Sequence, residues 1–402
     1  MMNFKQIPIY FNKYLKRFKK IFTKPQFHNF KRLVSGLILS EKKTIQEINA
    51  VYDEKNQSSL NRFVTESKWE HEKVNDIRLD TCVGIFGSKE SGAIIIDDVM
   101  TKKTGRKMEK ANYHRSGVTK KKEWGHCFVD CLYADFDSEN NYPIRIDSYL
   151  REENADGENP FKTKRDIALN QIDYAMEHGV KAKNVFVDAW YYGKDFINAL
   201  KTRILNYFVG IKSNVKITFN NKKRIGLGEY RDALTRENFD KFELENGIYF
   251  LHKQEINIRG IGKQMLLISY KQGDEENIKC YVTNIMNWEN AKYINALLKR
   301  WNIECLHRDM KQHLGLEKYQ VRKYRGMQAV ALAILVAYTL LILNKLPSLL
   351  QKFRPLKTIG EMCRFAQLVA QKSNYWLRKT FGDYKLGAKI LNQWVVVKNA
   401  KV

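Results

Sequence analysis

The stretch RWNIECLHRDMKQHLGL, residues 300–316, mixes groups that could do chemistry together. Read at 3.6 residues per turn, Arg300, Glu304, His307 and Lys311 share one helical face, while Trp301, Ile303, Leu306, Met310 and Leu314 supply apolar surface. Two further acids directly follow short β-branched runs: Asp97 closes GAIIID (92–97) and Asp188 closes VFVD (185–188). Runs this apolar suit central strands buried on both faces, and open α/β sheets place their sites at the carboxyl ends of such strands. Three carboxylates brought together repel unless cations neutralise them. Two Mg2+ ions about 3.5–4 Å apart would do so, and would also activate water and steady a leaving oxygen in phosphodiester chemistry. Mg2+ prefers hard oxygen ligands and keeps several waters, so a few carboxylates suffice. Taken singly, each acid reads as a solvated strand-end or helix residue; the grouping and the charge around it favour the metal.

That charge is large. Of 402 residues, 70 are Lys or Arg and 44 are Asp or Glu, a net +26, and such a surface attracts polyanions, of which nucleic acid is the commonest. The length predicts two or three compact units, and the 44% hydrophobic content excludes wholesale disorder. Six cysteines are scattered without a C-x2-C pair and no secretory signal is evident, which places the thiols reduced in a cytosolic compartment. His126, Cys127 and Cys131 lack the second pair that a zinc site needs and read as buried strand residues. GIFGSKESG (84–92) lacks the ending of a phosphate-binding loop, so nucleotide hydrolysis is not expected.

The elements that must position the three acids follow from local patterns. Residues 1–40 contain no acid, and YFNKYLKRFKKIF (10–22) aligns Tyr10, Tyr14, Phe18 and Phe22 with Lys16, Lys19 and Lys20 elsewhere. A second basic cluster lies between Lys345 and Lys401. Residues 40–69 predict two short helices, the first capped by Ser40 and the second by Ser58 or Ser59; this fits a DNA-binding helix-turn-helix and an ordinary helical hairpin equally. HCFVDCLYADF (126–136) and YPIRIDSYL (142–150) alternate like antiparallel neighbours, and the residues after Asp188 read as a helix. From about 209 to 285 strand candidates dominate: VKITF, IYFLHKQ, QMLLISY and KCYVTNI. GMQAVALAILVAYTLLIL (326–343) approaches the length of a membrane span, but Gln328, Tyr338, Thr339 and the lack of a second such segment favour a buried core helix.

RWNIECLHRDMK resembles the Y-x2-R-x3-E-x6-K signature of the insertion-sequence DDE transposases, with Arg300, Glu304 and Lys311 at the matching places. The signature's tyrosine falls at Leu297, with Tyr293 one turn earlier. IIIDDVMTKKTG and VFVDAWYYGKDF look like that family's first and second catalytic aspartates, Asp97 (rather than Asp98) and Asp188. The similarity runs from about residue 40 to 345 and includes a β-rich insertion before the glutamate.

The resemblance implies an α/β, ribonuclease H-like fold: a mixed five-stranded sheet flanked by helices, with a β-rich insertion and helical basic amino- and carboxyl-terminal regions. The corresponding segments are a DNA-binding region (1–82), the core (83–208 and 287–345), the insertion (209–286) and a basic helical region (346–402). It implies cut-and-paste transposition, with Asp97, Asp188 and Glu304 catalytic and holding two Mg2+ ions, Mn2+ being the alternative ion. Arg300, Lys311 and Trp301 would contact DNA, and Trp288 and Trp190 are further candidates to hold a flipped base; Trp301 reads equally as a helix residue packed on the core. The partners implied are double-stranded DNA (terminal inverted repeats and target) and a second copy of the chain, with no membrane and a cytoplasmic, nucleoid-associated location. Two other readings stand beside this one: a domesticated transposase that binds DNA without cutting it, and a membrane-surface protein built on the amphipathic start and the 326–343 run.

Overall fold

The structure is a computed structural model that describes residues 9–52, 56–116, 119–219, 224–343, 356, 358–368 and 370. The chain divides into two compact units, one of residues 1–82, 100–126 and 306–402, the other of residues 83–99 and 127–305. Helices α1 (Ile9–Leu15), α2 (Lys24–Leu39), α3 (Ile45–Ala50), α4 (Gln57–Thr65) and α5 (His71–Phe86) come first. They are followed by α6 (Lys164–Glu177), α7 (Lys194–Thr202), α8 (Leu227–Asp232), α9 (Asn290–Lys299), α10 (Trp301–Gln312) and α11 (Tyr324–Leu343).

In the first unit the amino-terminal stripe is carried by Phe11, Leu15, Phe18 and Phe22, all buried. Phe11 and Leu15 take the places expected for Tyr10 and Tyr14, because positions 11, 15, 18 and 22 keep the i, i+4, i+7, i+11 spacing of one helical face while successive steps of four drift off it. Tyr14 is half-buried, and the side chain of Tyr10 lies outside the described residues. Lys16, Lys19 and Lys20 are exposed, as expected. The two short helices of residues 40–69 are present with different caps. Thr44 opens α3 by accepting from Glu47 N–H at 3.2 Å, and Asn56 opens α4 by accepting from Ser58 N–H at 3.1 Å. Ser40 instead ends α2, its N–H bonded to the Gly36 carbonyl. Helix α11 packs on α2 and α4. It is long and apolar enough to cross a membrane, yet 89% of its most apolar stretch is buried in protein. Residues 359–368 are helical; the remainder of the 346–402 region, apart from 356, 358 and 370, lies outside the described residues.

The strands begin with β1 (Ala93–Lys102), β2 (Asn112–Arg115), β3 (Lys122–Ala134), β4 (Asn141–Tyr149), β5 (Asn184–Val187) and β6 (Asn206–Gly210). In the second unit they order β4-β3-β1-β5-β6. β3 and β4 are antiparallel, as their alternation predicts, whereas β5 runs parallel to both β1 and β6. Every residue of β5 is buried, which a strand covered on both faces requires. Phe186 and Phe208 stack across β5 and β6 with ring centroids 4.2 Å apart. VKITF contributes only the two-residue strand β7 (Lys216–Ile217), paired with β8 (Ile225–Gly226).

The longer strands β9 (Asp240–Leu244), β10 (Gly247–Ile258), β11 (Gly262–Lys271) and β12 (Asp274–Thr283) form an antiparallel run. β12 pairs with β6, Tyr281 opposite Gly210, so these strands lengthen the sheet beyond the five expected. The result is a large mixed sheet flanked by helices, consistent with a ribonuclease H-like fold.

Helix α7 ends at Arg203, and Ile204 follows with a left-handed φ of +56° and a side chain 84% exposed. Leu205 N–H bonds back to the Leu200 carbonyl at 3.1 Å, closing the helix where glycine is the favoured residue. A β-branched residue in that conformation is strained by about 1–2 kcal/mol, part of which glycine's extra unfolded-state freedom cancels. Ile204→Gly is therefore expected to raise stability by about 0.5–1 kcal/mol, read as a higher urea midpoint; a lower midpoint refutes it.

Candidate active site

The parallel pairing of β1 and β5 closes at Ile96 opposite Val187, and the next residue on each chain is an aspartate. Asp97 and Asp188 thus leave neighbouring strands at the same level. β1 itself continues to Lys102, so Asp97 lies within its strand and not at its end; what stops there is its parallel partner. Both carboxylates are steadied by nearby backbone. Asp97 Oδ1 accepts from Asp98 N–H and Asp188 Oδ1 from Trp190 N–H, each at 2.8 Å.

Glu304 comes from the first turn of α10. Arg300, at the junction of α9 and α10, turns inward: its guanidinium donates to Glu304 Oε1 and lies 3.7 Å from Asp97 Oδ2, and its side chain is 14% exposed. The expected row of bases is thus not presented as a row, since Arg300 bridges two of the three acids. Lys311 pairs with Glu317 at 2.9 Å. Asp188 belongs to the same electrostatic neighbourhood. Burial pushes its carboxyl above the usual range and the Asp98 charge adds to this, while the Trp190 N–H, Arg300 and Lys164 oppose it.

Two contributors carried no signal in the sequence. Lys164, the first residue of α6, is buried and places its ammonium 2.8 Å from Asp98 Oδ2 and 4.9 Å from the centre of the Trp190 ring. Tyr191 is fully buried beside Asp97, Asp98 and Asp188, and its hydroxyl has no hydrogen-bond partner among the described residues. Gly210 of β6 meets the peptide after Asp188 so closely that a Cβ there would fall 2.6 Å from Ala189 N and 2.9 Å from Asp188 C.

The aromatic candidates separate. Trp301 and Trp190 are 56% and 44% exposed, so Trp301 does not pack on the core. Trp288 packs against Phe136, Phe208 and Tyr293. Tyr293 is buried, and its hydroxyl donates to the Ile285 carbonyl at 2.7 Å. His126 is likewise engaged, Nδ1 with the Tyr319 hydroxyl at 2.8 Å and Nε2 with the Glu109 carbonyl at 3.0 Å.

Among the described residues no three His, Cys, Asp or Glu side chains already converge as a metal cage, and Arg300 bridges Asp97 and Glu304. The donor set nonetheless fits a hard divalent cation. Four carboxylates (Asp97, Asp98, Asp188 and Glu304) face two cations (Arg300 and Lys164), which leaves two negative charges over when all are ionised. The Tyr191 hydroxyl, buried without a hydrogen-bond partner among the described residues, is a further polar atom beside the acids.

A family model described as "DDE superfamily endonuclease" matches residues 17–226, just over half of the chain, and one described as "Transposase DDE domain" matches residues 161–340. The chain belongs to the DDE superfamily endonucleases. It is 30% identical over 207 residues to the "Probable transposase for insertion sequence element IS701" of Microchaete diplosiphon, covering 50% of this chain and 54% of that protein. The chain thus spans about half the length of that relative.

The adjacent aspartates differ in what their loss exposes. Asp98→Ala leaves the Lys164 ammonium buried and unpaired, and is expected to cost about 3 kcal/mol or more. Asp97→Ala relieves repulsion within the cluster and is expected to cost far less, because Arg300 keeps Glu304. Urea unfolding of the two variants decides; equal losses mean that Asp98 and Lys164 form no buried pair.

Proposed function

We propose that the chain is a cut-and-paste DNA transposase in which Asp97, Asp188 and Glu304 are the catalytic carboxylates. The observation that carries this reading is the pair of aspartates at one level of adjacent parallel strands, with Glu304 tied to Asp97 through Arg300. Those three carboxylates would hold two Mg2+ ions, or Mn2+, which when bound supply Lewis acidity and lower the pKa of water. The reaction balances in two displacements. A water oxygen bonds to phosphorus at the transposon end, the P–O3′ bond breaks, and the 3′-oxygen gains a proton. The freed 3′-hydroxyl then attacks a phosphodiester of the opposite strand or of target DNA in the same manner.

The chain's own groups divide the remaining work. Arg300 and Lys311, the cations matching the family signature, grip phosphates of the transposon end and position it without reading its sequence. Trp301 offers an exposed ring for a base to stack on. Trp190 N–H, Asp98 N–H and Gly210 hold the two aspartates in place. Residues 1–82 and 346–402 serve as DNA-binding flanks of a core at 83–208 and 287–345, with terminal inverted repeats and target duplex as partners and two copies of the chain in the DNA complex. A second reading, a transposase-derived protein that binds DNA without cutting, draws on one feature: Arg300 bridges acids that would otherwise be available to a cation.

A labelled transposon end, incubated with Mg2+ or with Ca2+, separates these readings. The parent protein is expected to cut in Mg2+ and only to bind in Ca2+, and Glu304→Gln to bind without cutting. Binding with no cutting by the parent in Mg2+ would favour the second reading. Arg300→Ala and Lys311→Ala are expected to weaken end binding and misplace the cut. Gly210→Ala pushes on the Asp188 peptide and is expected to slow cutting at least tenfold (about 1.4 kcal/mol) with end binding retained; unaltered cutting refutes the positioning role.

A further inference from the structure

We propose that the β2–β3 hairpin and the loop leading into it, over the described residues 102–116 and 119–124, form a separate surface that grips the backbone of duplex DNA. The proposal rests on the reading that this chain acts on DNA, but none of its residues belongs to the catalytic cluster. The segment holds nine Lys and Arg residues (Lys102, Lys103, Arg106, Lys107, Lys110, Arg115, Lys120, Lys121 and Lys122) against two acids, Glu109 and Glu123; of the nine, Lys103 is buried against Tyr319 and does not reach the surface. Both acids are occupied. Glu123 pairs with Lys102 at 3.3 Å, and Glu109 pairs with Lys323 at 2.9 Å and accepts from Tyr324 N–H at 2.9 Å. Lys107, Arg115, Lys120, Lys121 and Lys122 are exposed and form no ion pair among the described residues.

The register sharpens the case. Arg115 stands directly opposite Lys122 across the ladder, a like-charge pairing that destabilises a hairpin. Lys120 adds to this: it holds a left-handed φ of +56° in the turn, where glycine would be unstrained. Neither choice serves folding, and both put positive charge at the hairpin tip.

The base of the hairpin is tied together by side-chain contacts. Arg106 lies over both Tyr113 and Trp124, its guanidinium carbon 5.4 and 5.1 Å from their ring centres, and donates to the Tyr113 hydroxyl at 2.9 Å. Trp124 Nε1–H donates to the Gly105 carbonyl at 2.9 Å, fastening the incoming loop to the strand. The cations are thereby presented on a braced two-stranded ribbon, a shape that the major groove of duplex DNA admits, with phosphates along both rims. A flexible basic tail would bind phosphates too, but would not need the bracing.

The test uses full-length protein, random-sequence duplex DNA and EDTA, so that cleavage plays no part. Retention is measured across a salt series for the parent, for the Lys120→Gln/Lys121→Gln/Lys122→Gln triple variant and for the matching triple Lys→Arg variant. Each lost phosphate contact lowers the salt slope by about 0.9, so the glutamine variant is expected to lose about 2–3 from the slope and the arginine variant to keep it. Arg115→Gln alone, expected to lose about 0.9, gives a second measurement should the triple variant fail to fold. A parent that binds while the glutamine variants keep its slope overturns this surface and leaves the transposase reading standing. A parent that retains no DNA overturns both.

Discussion

Asp97 and Asp188 are neighbours because Ile96 and Val187 are the last paired residues of two buried parallel strands. Adjacent strands lie about 4.8 Å apart, so the carboxylates they carry repel one another, and the Asp98 charge adds to burial in holding the Asp188 carboxyl above its usual range. Much of the surrounding arrangement answers that repulsion. Arg300 leaves the expected outward face of its helix to bridge Asp97 and Glu304, and Lys164 is buried to meet Asp98. Both cations have hydrocarbon stems long enough to be covered while the charge reaches an acid. With both cations engaged, four carboxylates still outnumber them by two when all are ionised.

The insertion is coupled to this cluster through the sheet. β12 sits antiparallel beside β6, and β6 carries the glycine that lets the Asp188 peptide approach. Tyr281, opposite Gly210, is buried near Arg300, Asp97, Asp188 and Glu304, and burial pushes its hydroxyl up to about 12. It therefore stays protonated, and adds no further negative charge beside the acids. Strands that look like an appendage in the sequence thus form one wall of the aspartate pair's surroundings.

What was legible in the sequence was whatever depends on near neighbours in the chain. Apolar β-branched runs marked β1 and β5, alternation marked β3 and β4 as antiparallel partners, and the acid after each run located Asp97 and Asp188. The helix bearing Glu304 was visible in its period, but the direction of Arg300 was not. A helical wheel assumes one continuous helix with free neighbours, whereas Arg300 stands at the α9–α10 junction and an acid from β1 draws it inward. Lys164 and Tyr191 were invisible for a related reason. Their meaning lies in partners that only the fold brings near, and a lysine after a capping threonine reads as solvated until the acid beside it is known. The helix caps slipped because several Ser, Thr and Asn residues compete over a few positions, and backbone geometry picks among them.

Helix α11 has a consequence for how the chain is made. Its partners α2 and α4 emerge from the ribosome more than two hundred residues before it does, and until it arrives the parts of their apolar faces that it covers lack that partner. The first unit is stitched from three separated stretches of sequence, so it closes only after the last of them has been made. A chain terminated before Tyr324 would keep every residue of the carboxylate cluster and still lack the helix that completes the unit beside its amino terminus.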